Sequence, residues 1–370
     1  LDTSILIIGA GVTGLAIACK LSQTRDGVFV VERNRKFGQE TSSRNSEVVH
    51  SGIYYPKDSL KARLCVEGRR RLYQYCREKE VMHQQCGKYV VATNREECAE
   101  LPSIRKRARA NGVESGELIG RDRLQQHEPH VEGLKALYFG TSGIVDSHGL
   151  MKQLETDAVV NGVQMAYNNE VNRISRIEGG YEVEVIDASG KFSFTTGKVI
   201  NAAGLGASEV CRMAGISDEQ YRQHFWKGQY WAVGNGKHKL VHSLIYPVPQ
   251  KALTGLGIHA TIDMNGGLKL GPDAVYLGDR PLDYKVDPAS GDEFMQAVKP
   301  FLPFLEREDL HPDQAGIRPK LQKPGEPVKD FIIREEKDRD LPGFVNLLGI
   351  ESPGLTACLA IADYVEGLTG

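Results

Sequence analysis

Two stretches of the chain carry residue types that could do chemistry. The first is Gly9-Ala10-Gly11-Val12-Thr13-Gly14, a G-x-G-x-x-G run, with Glu32 at the end of the next apolar segment. Glycines at this spacing allow a tight turn, a close approach of backbone to a pyrophosphate, and close packing of a helix on a strand. A helix starting there offers unpaired N–H groups and partial positive charge to phosphates. A carboxylate at Glu32 can accept bonds from ribose hydroxyls, and it disfavours a phosphorylated ribose. Alone, the run is a weak signal, and its alternative is a glycine-rich turn in an unrelated βαβ unit. The second stretch is SSRNSEVVHSGIYY, residues 42–55. It mixes hydroxyls, an arginine, an asparagine and a histidine with valines and tyrosines. That is too polar for a core strand and too apolar for a disordered loop.

Elements must hold these groups in place. Ile5–Ile8 reads as a buried strand, LAIACKLSQ after Gly14 as a helix, and Val28–Val31 as a second strand ending at Glu32. Strand, glycine turn, helix, strand and acid in that order are what dinucleotide binding requires. An acid at this place does not choose between NAD and FAD. Further on, 56–78 reads as a helix with Leu60, Leu64, Leu72 and Tyr75 on one face. Within it, Arg69, Arg70 and Arg71 read as a solvated face, with peripheral contact to a membrane surface as the alternative. Residues 87–94 suggest a strand, 95–111 and 121–128 short helices, and 142–150 the approach to a helix ending near Asn161. Several β segments follow, with turns at Gly179-Gly180 and Ser189-Gly190. Val199-Ile200-Asn201-Ala202-Ala203-Gly204 ends in small residues that let backbone come close to a ligand. The pattern from 225 to 277 is almost all β, a helix is expected around 290–302, and 315–321 and 344–350 read as strands before a final helix.

Composition bounds the function. With 370 residues, 41% hydrophobic and 25% charged, the chain can bury a core of two domains or one large one. A formal net charge of −2 gives no electrostatic argument for nucleic acid. No apolar run reaches the roughly 18 residues that a membrane helix needs. The opening residues enter a strand at once, so no signal or transit peptide is expected within this chain. Seven cysteines, none in a C-x-x-C pair, suggest a reducing compartment rather than a disulfide framework. An intracellular place, cytoplasmic or mitochondrial, follows. The ten histidines lack metal-ligand spacing, so no metal is expected.

Taken together, GAGVTGLA, TSSRNSEVVHSGIYYPKDSLKARLC, GIVDSH, VINAAG, LIYPVP, LGIHATID, GIRPK and GIESPGLTA span nearly the whole chain. They resemble the FAD-dependent L-2-hydroxyglutarate dehydrogenase (oxidase) group of the D-amino-acid-oxidase-like flavoprotein superfamily. The family's better-known members carry Arg-Ala-Gln where this chain has Arg318-Pro319-Lys320, which marks a side branch. The resemblance implies an α/β fold. A discontinuous glutathione-reductase-type Rossmann domain for FAD (1–85, 142–215 and 312–370) is joined to a β-rich substrate domain (86–141 and 216–311). It implies oxidation of L-2-hydroxyglutarate or a related 2-hydroxy acid to the 2-oxo acid by hydride transfer to flavin N5. The alternative within the superfamily is an amino-acid, amine or glycerol-3-phosphate oxidase. A non-catalytic or tRNA-modifying FAD/NAD protein is a third reading, and the absence of a basic patch opposes it. Oxygen or a quinone is the expected electron acceptor.

The resemblance also distributes roles. Gly9, Gly11, Gly14, Glu32 and Arg33 should meet the adenosine end of FAD, with Ser42, Ser43, Asn45 and Ser46 along its pyrophosphate and ribityl chain. Val171, Ala203 and Gly204 should line the same cofactor. Gly354, Leu355 and Thr356 open the last helix, whose N–H groups would stabilise negative charge near flavin N1. A 2-hydroxy acid needs a carboxylate clamp, and Arg318 fits because its planar fork binds a carboxylate bidentately. His259 is the leading base, expected to titrate near neutrality. His50 is the second candidate base or a covalent flavin anchor. Tyr54, Tyr55 and Tyr246 are candidate hydroxyl donors, and Lys320 a helper.

Overall fold

A computed structural model of the protein describes residues 1–114, 116–249, 257–278 and 282–370. Leu256, which opens the LGIHATID stretch, lies outside them. Strand β1 (Thr3–Ile8) leads through Gly9–Gly11 into helix α1 (Val12–Leu21) and on to strand β2 (Val28–Glu32). β1 and β2 pair in parallel, and the sheet continues in parallel through Gln164–Tyr167 beside β2. On the other side, Gly190–Asn201 lies beside β1 and Leu341–Leu348 beside Gly190–Asn201, again in parallel. Runs such as Ile5–Ile8 and Val30–Val31 are buried on both faces, as inner parallel strands must be. The antiparallel strands Glu170–Ile177 and Gly180–Asp187 extend this sheet.

A second sheet carries the β-rich half. Its order runs Val275–Tyr276, His224–Val233, Leu268–Gly271, His259–Ile262, Leu244–Pro247, Lys88–Ala92, Lys135–Phe139 and Glu117–Gly120. Leu310–Lys320 pairs with His224–Val233 over almost its full length. The strand expected at 315–321 therefore starts earlier. It also puts the first residues of 312–370, expected on the cofactor side, into this second sheet. A short three-stranded sheet of Val48–Val49, Gly143–Val145 and His83–Gln84 sits between the two large ones in the chain's path.

Two helices frame the site. α2 (Leu60–Glu78) starts where the Ser59 hydroxyl and the Asp330 carboxylate accept its first N–H groups; Leu60 and Lys61 donate to Asp330 at 2.6 and 2.9 Å. The C-terminal helix Gly354–Leu368 packs on both α1 and α2. Its approach to α2 depends on Gly68. A Cβ there would lie 2.5 Å from the Thr356 carbonyl oxygen and 2.6 Å from the Ala357 Cα. The arginine run on α2 does not form one solvated face. Arg69 is buried and donates to the Thr141 hydroxyl at 2.7 Å, because the helix turns that position toward the core. Arg70 and Arg71 are exposed and pair with Glu114 and with Glu67 and Asp363. All seven cysteines are free thiols. Among the described residues, no helix is long and apolar enough to cross a membrane.

Candidate active site

A cleft opens at the ends of β1 and β2. Gly9, Gly11, Glu32, Arg33, Ser42 and Val171 are among its walls, and Ala203 and Gly204 close its far side. Gly9 has φ +105°, and a Cβ on Gly14 would lie 2.0 Å from the Gly9 carbonyl oxygen, so the turn admits only glycine at these points. Gly11 has no side chain to cap α1; the Gly9, Ala10 and Val12 N–H groups are taken by the Val31 carbonyl, Glu32 and the Ser42 hydroxyl, the last at 3.0 Å, which leaves those of Gly11, Thr13 and Gly14 for an anion among the described residues. Glu32 accepts from Ala10 N–H through Oε2 at 2.8 Å and from both nitrogens of Asn34 through Oε1 at 2.8 Å. Oε2 retains a lone pair, since a carboxylate oxygen takes two bonds. Asn169 Oδ1, buried and without a partner, also belongs to a residue of this wall. The donor set, the cradle and the orphaned acceptor fit a dinucleotide.

The rest of the 42–55 stretch is tied down mainly by its own chain. Asn45 donates to the Ser42 carbonyl at 2.7 Å and accepts from Glu47 N–H at 2.7 Å. The Ser43 hydroxyl donates to the Glu40 carbonyl at 3.3 Å, and Ser46 bonds the Tyr230 hydroxyl. Arg33 pairs with Glu40 at 2.5 Å, and the Arg44 guanidinium lies 4.4 Å from the centre of the Tyr284 ring. Glu47, Asp146 and His148 come together, but their carboxylates already cap the helix at Ser147–Val160, accepting from Ser147, His148 and Gly149.

At the opposite end, the stretch reaches the C-terminal helix. His50 N–H donates to the Thr356 hydroxyl at 3.0 Å, and its Nε2 lies 3.2 Å from the Ser352 hydroxyl. The Thr356 hydroxyl donates onward to the Val48 carbonyl at 3.2 Å. The Gly354 N–H is taken by the Glu351 carbonyl at 2.5 Å, whereas those of Leu355 and Thr356 have no backbone acceptor among the described residues. Beneath this turn, Lys61 and Glu351 form a buried ion pair at 2.7 Å. Lys320 stands near it, and burial brings its ammonium down to about 8.

The second sheet supplies the facing wall. His259 is 5% exposed, and its ring stacks on Tyr246 with centroids 3.8 Å apart. Its Nδ1 lies 3.0 Å from the Gly257 carbonyl, which fixes the proton on Nδ1 and leaves Nε2 as an acceptor. His259 does not titrate near neutrality as expected. Burial, partly offset by the Gly257 bond and reinforced by Lys88 and Arg318, brings it down to about 3. Burial, Lys88 and His259 likewise hold His50 well below its ordinary value. Arg318 donates to the Asp273 carbonyl at 2.6 Å and forms no ion pair among the described residues; its Nε is buried without a partner. The Tyr54 hydroxyl is buried and unpartnered, and Tyr55 bonds Ser352. Tyr246 is fully buried, with its hydroxyl beside that of Thr261.

Sequence reasoning missed Lys88. It is 1% exposed, and its ammonium lies 3.9 Å from the centre of the Tyr246 ring and 5.7 Å from that of Tyr54. The available signal was a lone cation opening the apolar strand YVVA.

The site and the two-sheet fold define a flavoprotein oxidoreductase, and comparison with known proteins agrees. A family model described as "FAD dependent oxidoreductase" matches residues 4–368, and this chain belongs to that family. FAD is its cofactor. The mitochondrial L-2-hydroxyglutarate dehydrogenase of Arabidopsis thaliana is 35% identical over 97% of this chain and 82% of its own length. L-2-hydroxyglutarate dehydrogenase of Indibacter alkaliphilus is 29% identical over 99% of this chain and 98% of its own. Among solved structures, L-alpha-glycerophosphate oxidase from Mycoplasma pneumoniae, with FAD bound, superimposes with a TM-score of 0.88 at 28% identity. That match covers 100% of this chain and 95% of the other. Glycine oxidase from Geobacillus kaustophilus, at 20% identity and a TM-score of 0.80, shares the fold.

Proposed function

We propose that this chain oxidises L-2-hydroxyglutarate, or a close 2-hydroxy acid, to the 2-oxo acid. One observation carries the reading. Arg318, Lys88, His50 and His259 converge between the second sheet and the start of the last helix, and neither cation has an ion-pair partner among the described residues. Such a site accepts an anion. The names of the relatives from Arabidopsis thaliana and Indibacter alkaliphilus supply the substrate.

FAD, when bound, supplies the acceptor for the hydrogen and electron pair that leave C2. The glycine turn, Glu32 and Asn169 would hold its adenosine and phosphates. The free N–H groups of Leu355 and Thr356 would hold its ring end and favour negative charge there. Arg318 clamps the C1 carboxylate, beside which the C2 hydroxyl comes within reach of His259 Nε2. That nitrogen takes the hydroxyl proton. A substrate carboxylate next to His259 offsets the repulsion of Arg318 and Lys88 and raises the basicity that the empty site suppresses. The unpartnered Tyr54 hydroxyl donates to a substrate oxygen. Electrons pass on to oxygen or a quinone, and the place of work is intracellular.

Anaerobic addition of L-2-hydroxyglutarate should bleach the visible absorption of the bound flavin. Bleaching by L-glycerol 3-phosphate or by amino acids, with 2-hydroxy acids inert, would overturn the reading. The glycerophosphate oxidase is the specific competitor, given its structural match. His259→Ala should slow flavin reduction by about 10² to 10⁴-fold while substrate Kd changes only a few-fold. A normal rate in that variant, with His50→Ala crippled, moves the base to His50.

A further inference from the structure

Lys88 is an expensive residue to place where it is. It opens the strand Lys88–Ala92, where alternation puts it on the same face as Val90 and Ala92, both fully buried in an apolar cluster with Ile53 and Val66. No carboxylate and no hydrogen-bond acceptor meets it among the described residues. Its neighbours are the faces of Tyr246 and Tyr54, the thiols of Cys65 and Cys86, and the imidazoles of His50 and His259, which its charge disfavours protonating. A cation buried without a counter-charge costs stability, and proteins keep such groups mainly where a ligand completes them.

Its position relative to the other cation is informative. His259 feels both Arg318 and Lys88, whereas Arg318 is not among the groups that shift Lys88. The His259 ring and the Lys88 ammonium lie 3.8 and 3.9 Å from the same Tyr246 centroid, too close to share one face. Tyr246 therefore stands between them. Arg318 and Lys88 are two separate cations, and His259 is under the influence of both. The buried Tyr54 hydroxyl, without a partner, belongs to the second ring near the Lys88 ammonium, whose centre lies 5.7 Å away.

We infer that Lys88 receives the second carboxylate of a dicarboxylic substrate and so sets the preference for dicarboxylic over monocarboxylic 2-hydroxy acids. The assignment rests on the 2-hydroxy-acid reading above. Burial brings the free ammonium down to about 7, so in the empty site its charge is partial at neutral pH. Below that value the lysine is already charged and a dianion binds without proton uptake. Above it, binding must draw in a proton, so dicarboxylate affinity falls as pH rises.

Glutarate and valerate, neither of which can be oxidised at C2, test this by titration against the spectrum of bound FAD. Wild-type protein should prefer glutarate. Lys88→Met, which keeps the length and removes the charge, should reduce that preference by about 10- to 100-fold. An unchanged preference, or equal weakening of both ligands, overturns the inference. A pH titration of wild type alone guards against a variant that fails to fold. The glutarate-to-valerate affinity ratio should fall by up to roughly tenfold per pH unit above about 7, and a flat ratio from about pH 6 to about pH 9 overturns it too. If L-2-hydroxyglutarate fails to bleach the flavin while the glutarate preference depends on Lys88, the substrate reading falls and the anion site stands.

Discussion

Arg318→Met lowers kcat/KM for L-2-hydroxyglutarate by about a thousandfold, and the purified variant stays yellow. The size follows from removing one partner of a desolvated, hydrogen-bonded charge pair, worth about 2 to 5 kcal/mol, or roughly 30- to 5,000-fold. The flavin is retained because Arg318 sits on the second sheet, opposite Trp226 in the strand pairing, and not in the nucleotide cleft. The loop that Arg318 touches also survives. Asp273 keeps its bonds from Gln229, at 2.7 Å to the backbone N–H and 2.6 Å to the side-chain amide. Arg318→Lys should recover only part of the loss, since an ammonium lacks the planar fork. Steady-state kinetics beside the flavin content check this. A variant with normal kcat/KM removes Arg318 from the carboxylate site.

Gly14→Val yields protein with less than about a tenth of the wild-type FAD. The valine Cβ must sit 2.0 Å from the Gly9 carbonyl oxygen, a backbone atom that cannot swing aside as a side chain would. Relief requires the glycine turn to open or α1 to tilt away from β1. Either movement displaces the N–H groups that face the phosphates. Absorbance of the purified protein and its recovery on adding FAD measure the loss. A fully loaded Gly14→Val protein would show that the phosphates are held elsewhere.

The parts of the molecule that sequence reveals are those built from local chemistry. Gly9, Gly11, Gly14 and Glu32 announce their turn because they recur at a fixed spacing within one βαβ unit, even though a Cβ on Gly9 would meet the distant Ala202 and one on Gly11 the Ser42 hydroxyl. The proposed catalytic wall is different. His259 is a lone histidine in a strand, and its low basicity arises from burial and from Lys88 and Arg318, all remote in sequence. Lys88 reads as an ordinary strand opener until Lys88–Ala92 pairs in parallel with Leu244–Pro247, a partner that no local periodicity predicts. Arg69 reads as solvated beside Arg70 and Arg71, yet helical rotation and the distant Thr141 decide its burial. The joining of Leu310–Lys320 to His224–Val233 is equally non-local, and it places the change of sheet later in the chain than the boundary at 312 that the resemblance implied.

Gly68 lines neither the glycine-turn cleft nor the wall of His259 and Arg318, yet it sets how near α2 comes to the turn proposed to hold the flavin's ring end. The two helices are docked backbone to backbone there, so neither can drift during evolution without the other. This seam offers a sorting rule for relatives of uncertain activity. A chain with a bulky side chain at this position must hold its last helix farther out, and its redox centre would then stand at a different depth beneath the same catalytic wall.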